Sequence, residues 1–331
     1  MARAPHQSAS RIRAARASTG DGYSVSGHWC DRLESAVARC GAPVAVGLDP
    51  VVERLPLDLR PTRTTAAAAC ESIAHFCREV IDAISGVVPC VKINSAFFEA
   101  YYEHGVQAFY ELIAHAHRRE LLVIADVKRG DIGSTARLYA KGHIETPMLE
   151  DIDPLRAPDA VTLAGYLGRS AVAPFAEIAE RTGRGVYVLV RPSEPGADVI
   201  HEFGERQRLF QHMASLVDEW GGAPEMLGEC GLSCVGAVVA PKDEPSTAAL
   251  RAAMPRTPWL VPGYGAQGSD AAACAPCFLP GGRGALVNAS RSVIYAFERD
   301  PAAARSGGDW VAAIAGAAET FARDIRAVAT P

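Results

Sequence analysis

Eight short apolar runs recur between Pro43 and Asn288, alternating with longer stretches whose apolar residues fall at helical spacing. Runs of four to eight residues bounded by turn formers read as buried strands. The eight are Pro43 to Asp49, Val87 to Ile93, Leu121 to Lys128, Ala160 to Ala164, Gly185 to Arg191, Val235 to Ala240, Trp259 to Pro262 and Ala285 to Asn288. Helical patterns precede the first run (Trp29 to Cys40) and fill the gaps at Thr64 to Ser85, Ser95 to Arg118, Asp131 to about Gly142, a stretch ending near Arg181, and about Phe203 to Trp220. Further helices follow from Ser290 and from about Asp309 to Val328. The aromatic stripe Phe97, Tyr101, Phe109 and Ile113 reads as core packing. Residues 144 to 158 are acidic and broken by Pro147, Pro154 and Pro158, and predict a loop or short-helix insertion.

Strands alternating with helices, with no sign of a hairpin, predict an α/β fold of the (β/α)8 type, a TIM barrel. A doubly wound open sheet competes. The barrel is preferred because charged and polar residues end strands all around the series, whereas an open sheet gathers them at one switch point. At 331 residues the chain fits one such barrel with insertions, expected over residues 23–331. Residues 1–22 are rich in Ala, Arg and Ser and carry no acid before Asp21, which predicts a disordered extension; the same composition resembles a transit peptide.

The third run carries the densest chemistry. LLVIADVKRGDIGSTARL, from Leu121 to Leu138, ends its apolar part in Asp126, Lys128 and Asp131. Period-two alternation puts Asp126 and Lys128 on one side of the strand, and Asp131 reads as the capping carboxylate of the next helix. A structural ion pair is the plain alternative for any isolated D-x-K. Lysine is scarce, however: of 33 basic residues only Lys92, Lys128, Lys141 and Lys242 are lysines, and Lys92 ends the neighbouring run. A compact titratable ammonium is thus kept at two adjacent strand ends.

A phosphate site is expected at the last two strands. Pro262-Gly-Tyr-Gly-Ala-Gln-Gly268 can bring bare backbone N–H groups to an anion, and Ser290-Arg291-Ser292 opens a helix. The net charge of −5 gives no basic field for nucleic acid, so such a phosphate needs a local site. No apolar run reaches the ~18 residues that span a bilayer. Nine scattered cysteines suit reduced thiols and a cytoplasmic location; a zinc site from Cys274, Cys277, Cys230 and Cys234 is disfavoured by its loose spacing.

The run from Ile124 to Thr135 resembles the D-x-K-x-x-D-I/V-x-x-T signature of the orotidine 5′-phosphate decarboxylase family, and its GDIGST wording is similar to the bacterial type 2 branch. The resemblance extends over about Val44 to Ser292. The P-G-x-G-A-Q-G loop and terminal R-S match, and Ser193-Glu-Pro-Gly meets the family's S-x-P-G loop. Departures are Thr-Leu-Ala-Gly at the fourth strand, where Asn-Pro is usual before Tyr-Leu-Gly, and Pro192 in place of a Thr. The resemblance implies a barrel that converts orotidine 5′-monophosphate to UMP and CO2 in pyrimidine biosynthesis, with no metal and no cofactor. It implies catalytic Lys128, Asp126, Lys92 and Asp131. It also implies Asp49 on the ribose, Ser193 on the pyrimidine, and Gln267, Ser290 and Arg291 on the phosphate. Asp131, Ile132 and Thr135 would reach a partner's site in a homodimer with shared active sites.

Three rivals remain at this point. A Schiff-base aldolase needs a lysine of lowered pKa, and flanking carboxylates act the other way. A Mg-dependent sugar-phosphate decarboxylase or aldolase of the same superfamily carries a similar D-x-K-x-x-D; the Ser193 loop and the Ile132 to Thr135 wording argue against it. A non-catalytic nucleotide-phosphate-binding barrel is disfavoured by the presence of all four charges.

Overall fold

The computed structural model describes residues 26–145, 149–265, 270–305 and 307–329. Each apolar run becomes a strand: β1 (Val44–Leu48), β2 (Cys90–Asn94), β3 (Leu122–Arg129), β4 (Ala160–Leu163), β5 (Gly185–Arg191), β6 (Val235–Val239), β7 (Trp259–Val261) and β8 (Ala285–Ala289). They pair in sequence order, all parallel, and β8 closes on β1 through Val44↔Val287, so the sheet is a closed barrel. The open-sheet alternative is thereby removed. The helices are α1 (Trp29–Cys40), α2 (Ala66–Ile84), α3 (Ala96–Glu99), α4 (Tyr102–Arg118), α5 (Gly133–Ile144), α6 (Arg169–Thr182) and α7 (Asp198–His201). After these come α8 (Leu209–Trp220), α9 (Glu244–Ala253), α10 (Ala271–Cys274), α11 (Arg291–Ile294) and α12 (Trp310–Ala329).

Alternation along the strands divides the core in two. Val44, Val46, Val91, Val123, Val161, Val186 and Val287 face outward into the main cluster beneath the helices. Ala45, Cys90, Ile124, Ala160, Tyr187, Leu260 and Leu286 face inward and fill the barrel axis. The α1 helix closes the N-terminal end of that axis: Trp29 and Cys30 are fully buried, the Trp29 indole donates to Tyr187 Oη at 3.3 Å, and Arg32 pairs with buried Asp159 at 2.5 Å. One step up each strand from the inward layer stand Gly47, Lys92, Asp126, Thr162, Leu189 and Asn288, at the open end.

Several expected boundaries move. The helix expected over Ser95 to Arg118 is broken into α3 and α4, and Tyr102, which opens α4, has φ 55°. Periodicity misses the break because Phe98 and Phe109, on either side, pack on each other in the same core. The helix expected from Phe203 begins only at Leu209, because Arg208 turns back to donate to the carbonyls of Glu202 and Gly204. The α9 helix, capped by Asp243, has no counterpart in the pattern reading. Asp131 does not cap α5: Ile132 is the N-cap residue, and among the described residues Asp131 Oδ1 accepts only from the adjacent Ile132 N–H at 2.8 Å. Among the described residues of the insertion there is one 3₁₀ turn, Pro154–Arg156. The extension expected over residues 1–22 lies outside the described residues. All nine cysteines are free, and Cys234, Cys274 and Cys277 are buried.

Candidate active site

The expected charged cluster forms around Asp126. Its Oδ2 meets Lys92 Nζ at 2.9 Å, and its Oδ1 meets Lys128 Nζ at 2.6 Å. Lys92 also stands 3.7 Å from Asp49 Oδ1, an ion-pair contact too long for a hydrogen bond. Parallel pairing of β1, β2 and β3 brings these three strand ends together.

Lys128 reaches Asp126 by a route that alternation does not predict. Between Ala125 and Arg129 the pairing with β4 shifts register, and Lys128 takes the left-handed φ of 44°. Its backbone N–H leaves the ladder and donates to Thr162 Oγ1 at 3.0 Å, and that hydroxyl donates in turn to Asp126 Oδ1 at 2.8 Å. Thr162 thus fixes both members of the D-x-K pair. The residue types at the end of the fourth run carry its signal, a lone polar inward position in an apolar strand.

Burial pushes the Asp126 carboxyl up, but the Lys92 and Lys128 ammonium groups more than offset this and hold it well below the usual carboxylate range. Burial pulls Lys92 down, yet Asp49 and Asp126 beside it leave its pKa raised. Asp126 is therefore ionised and Lys92 charged throughout the neutral range. Lys128 differs in access, with its side chain 49% exposed. Asp131 forms no ion pair among the described residues; both lysines converge on Asp126, and Lys92 also faces Asp49. Ile132 and Thr135 are exposed at the start of α5.

Two cavities open above this cluster. One, of about 370 Å³, is lined by Lys92, Asp126, Lys128, Thr162, Ser193 and Leu260 among others. The second, of about 170 Å³, is lined by Asp49, Lys92, Ser193, Gly263, Ser290 and Arg291 among others. The expected pyrimidine, ribose and phosphate residues thus share one mouth. Gly263 and Gly265 have φ of 97° and 75°, which glycine adopts freely, and Tyr264 between them donates to Asp324 Oδ2 at 3.1 Å. Gln267 lies outside the described residues.

Two positioning residues escape sequence reasoning because their partners are remote in the chain. Tyr295, just after α11, donates to the Asp49 carbonyl at 3.1 Å and accepts from Val51 N at 2.7 Å, tying the Asp49 turn to the Arg291 turn. Arg191, buried at the end of β5, donates to Ala240 O at 2.9 Å and Thr247 Oγ1 at 2.9 Å, anchoring the base of the Ser193 loop. Among the described residues no group of His, Cys, Asp and Glu is arranged to hold a metal ion.

A family model described as Orotidine 5'-phosphate decarboxylase / HUMPS family matches residues 45–306. The Orotidine 5'-phosphate decarboxylase of Rhodopirellula baltica is 39% identical over 277 residues, spanning 81% of this chain and 89% of the relative. That of Haloarcula marismortui is 38% identical over 276 residues, spanning 82% and 88%. The solved structure of Leishmania donovani OMP decarboxylase superposes with a TM-score of 0.67 at 27% identity, covering 91% of this chain and 98% of that one.

Proposed function

The chain belongs to the orotidine 5′-phosphate decarboxylase family, and from that premise we propose how its residues convert orotidine 5′-monophosphate to UMP and CO2, the step that completes UMP biosynthesis. The observation that carries the reading is the Lys92–Asp126–Lys128 chain at the floor of a mouth that continues to Arg291.

The C6–carboxylate bond breaks, CO2 leaves, and the electron pair stays on C6. The Lys128 ammonium stabilises that charge and then delivers its proton to C6, being replenished from water. Asp126, kept ionised by its two lysines, lies beside the departing carboxylate, and repulsion between them is relieved as CO2 leaves. Lys92 and Asp49 hold the ribose, and Ser193 meets the pyrimidine. Arg291, Ser290 and Gln267 grip the phosphate, whose binding energy is realised in part at the reacting carbon.

Asp131, Ile132 and Thr135 belong to the partner's site in this reading, which makes the working enzyme a homodimer. The support is local: Asp131 has no ion pair in its own chain among the described residues, and Ile132 and Leu138 are 59% and 69% exposed beside it. Large apolar side chains so exposed near a site mark an interaction surface. The reading includes one barrel domain over residues 23–331, an extension over 1–22, and a cytoplasmic location, which free thiols suit. Among the described residues no helix is long and apolar enough to cross a membrane.

The deciding experiment follows the absorbance change of orotidine 5′-monophosphate with and without EDTA. Turnover unaffected by EDTA is expected. Activity lost in EDTA and restored by Mg²⁺ would move the chain to metal-dependent chemistry, and binding of UMP without turnover would make it a non-catalytic nucleotide binder.

A further inference from the structure

Asn288 has no role in the reading above, yet it stands at the centre of the mouth. Leu286 and Asn288 share the inward face of β8, with Leu286 packed in the axial cluster and Asn288 one layer nearer the opening. Asn288 is only 5% exposed and lines both cavities, the one that holds Arg291 and the one that holds Lys128. Its Nδ2 donates to Ser290 Oγ at 3.4 Å, a contact longer than the usual hydrogen-bond range. Its Oδ1 is buried and has no hydrogen-bond donor among the described residues. A buried amide oxygen without a donor is costly, and in a native site it calls for a functional explanation, such as a partner brought by a ligand. The space beside it is left by β1, where Gly47 has no side chain; a methyl there would stand 3.3 Å from Asn288 Nδ2.

We infer that Asn288 is a sugar-binding residue, whose Oδ1 accepts a hydrogen bond from a ribose hydroxyl of the nucleotide. The inference rests on the decarboxylase reading, which puts the base in one cavity and the phosphate in the other. The sugar then lies where the cavities join, against the side chains common to both: Lys92, Asp126, Ser193, Pro262 and Asn288. Lys92 offers only donors, and Asp126 already accepts from Lys92, Lys128 and Thr162. Asn288 Oδ1 is the open carbonyl acceptor of the group, and a sugar hydroxyl is the donor that the substrate brings to that wall. Phosphate and carboxylate bring acceptors only.

The test is a cycle of kcat/KM values for the unaltered chain and Asn288→Ala on orotidine 5′-monophosphate and its 2′-deoxy and 3′-deoxy forms. Asn288→Leu, similar in volume and unable to accept, replaces the alanine variant if that one fails to fold. On the full substrate the variant is expected to lose roughly tenfold, the weight of one hydrogen bond at a buried group. On one of the two deoxy substrates variant and unaltered chain should agree within about twofold, because the bond is already absent. Losses that multiply on both deoxy substrates overturn the assignment. Turnover of the full substrate by the unaltered chain is measured first, and its absence is a failure of the decarboxylase reading alone. The same cycle is then run on the dissociation constants of UMP and its deoxy forms, with the same two outcomes for Asn288.

Discussion

A methyl group built on Gly47 would lie 1.9 Å from the Ser290 hydroxyl, so the end of β1 and the turn that opens α11 meet where only a hydrogen fits. Gly47→Ala is therefore expected to push Ser290, and Arg291 behind it, away from the phosphate. KM for orotidine 5′-monophosphate should rise by roughly tenfold or more, the cost of weakening a charge-assisted bond. The melting temperature should fall by a few degrees at most, since the mouth is open and can yield. Steady-state kinetics with a thermal melt separate the two effects, and an unchanged KM removes Ser290 from the phosphate grip.

Lys128 and Arg291 should fail in different ways. Lys128→Ala is expected to lower kcat by about 10²–10⁴-fold, the span for loss of a positioned general acid, while UMP still binds measurably. Arg291→Ala should instead raise KM strongly, with part of its loss in kcat because remote phosphate binding is realised in the transition state. Near-normal turnover by Lys128→Ala would show that another group supplies the proton.

Asp159 makes a pH-dependent contribution to stability, far from the chemistry. It is fully buried, paired with Arg32 at 2.5 Å, contacted by His117 Nε2 at 3.0 Å, and accepts from Val123 N at 2.8 Å. Burial raises its pKa, but Arg32 and then His117 more than offset this and hold it well below the usual carboxylate range. A depressed folded pKa gives stability that is present above the unfolded value of about 3.9 and lost as pH falls from there toward the folded one. Asp159→Asn should cost about 3–5 kcal/mol near neutrality by leaving the largely buried Arg32 guanidinium uncompensated. In urea titrations the gap between the two proteins should stay level from about pH 8 to 5 and narrow below about pH 4. A gap that instead widens in acid contradicts the assignment.

The shared site is tested by mixing two inactive proteins, Lys128→Ala and Asp131→Ala, under subunit exchange. If Asp131 serves the partner's site, a mixed dimer carries both lesions in one site and none in the other. Random pairing makes about half the dimers mixed, so roughly one quarter of the unaltered activity should return. No recovery, with exchange verified by a mass-tagged subunit, means that Asp131 acts in its own chain.

The barrel was legible because eight buried parallel strands leave eight apolar runs, and none of their ends moved by more than about three residues. Lys92, Asp126 and Lys128 were legible for the same reason: charges at the end of an apolar run have few other places to be. Ser290 and Arg291 were legible as a helix start after the last apolar run, Asp49 and Ser193 were given roles by the family resemblance, and the structure brings all four to the same mouth. The register shift that turns Lys128 was not legible, since it arises between β3 and β4 and leaves no mark in either run alone. Tyr295 and Arg191 were hidden because their value lies in contacts 246 and 49 residues away. Thr162 and Asn288 were within reach, as polar residues at inward positions.

The left-handed backbone at Lys128 limits how far this chemistry can be copied. A non-glycine residue held there carries roughly 1–3 kcal/mol of strain, and here the Thr162 hydroxyl and the slipped pairing with β4 keep it in place. Grafting Asp-x-Lys onto the end of a regular strand in another barrel would reproduce the letters and the face, but leave the lysine on an extended backbone without its tether. A designer borrowing this proton donor must therefore transplant the bulge and the neighbouring threonine together with the motif.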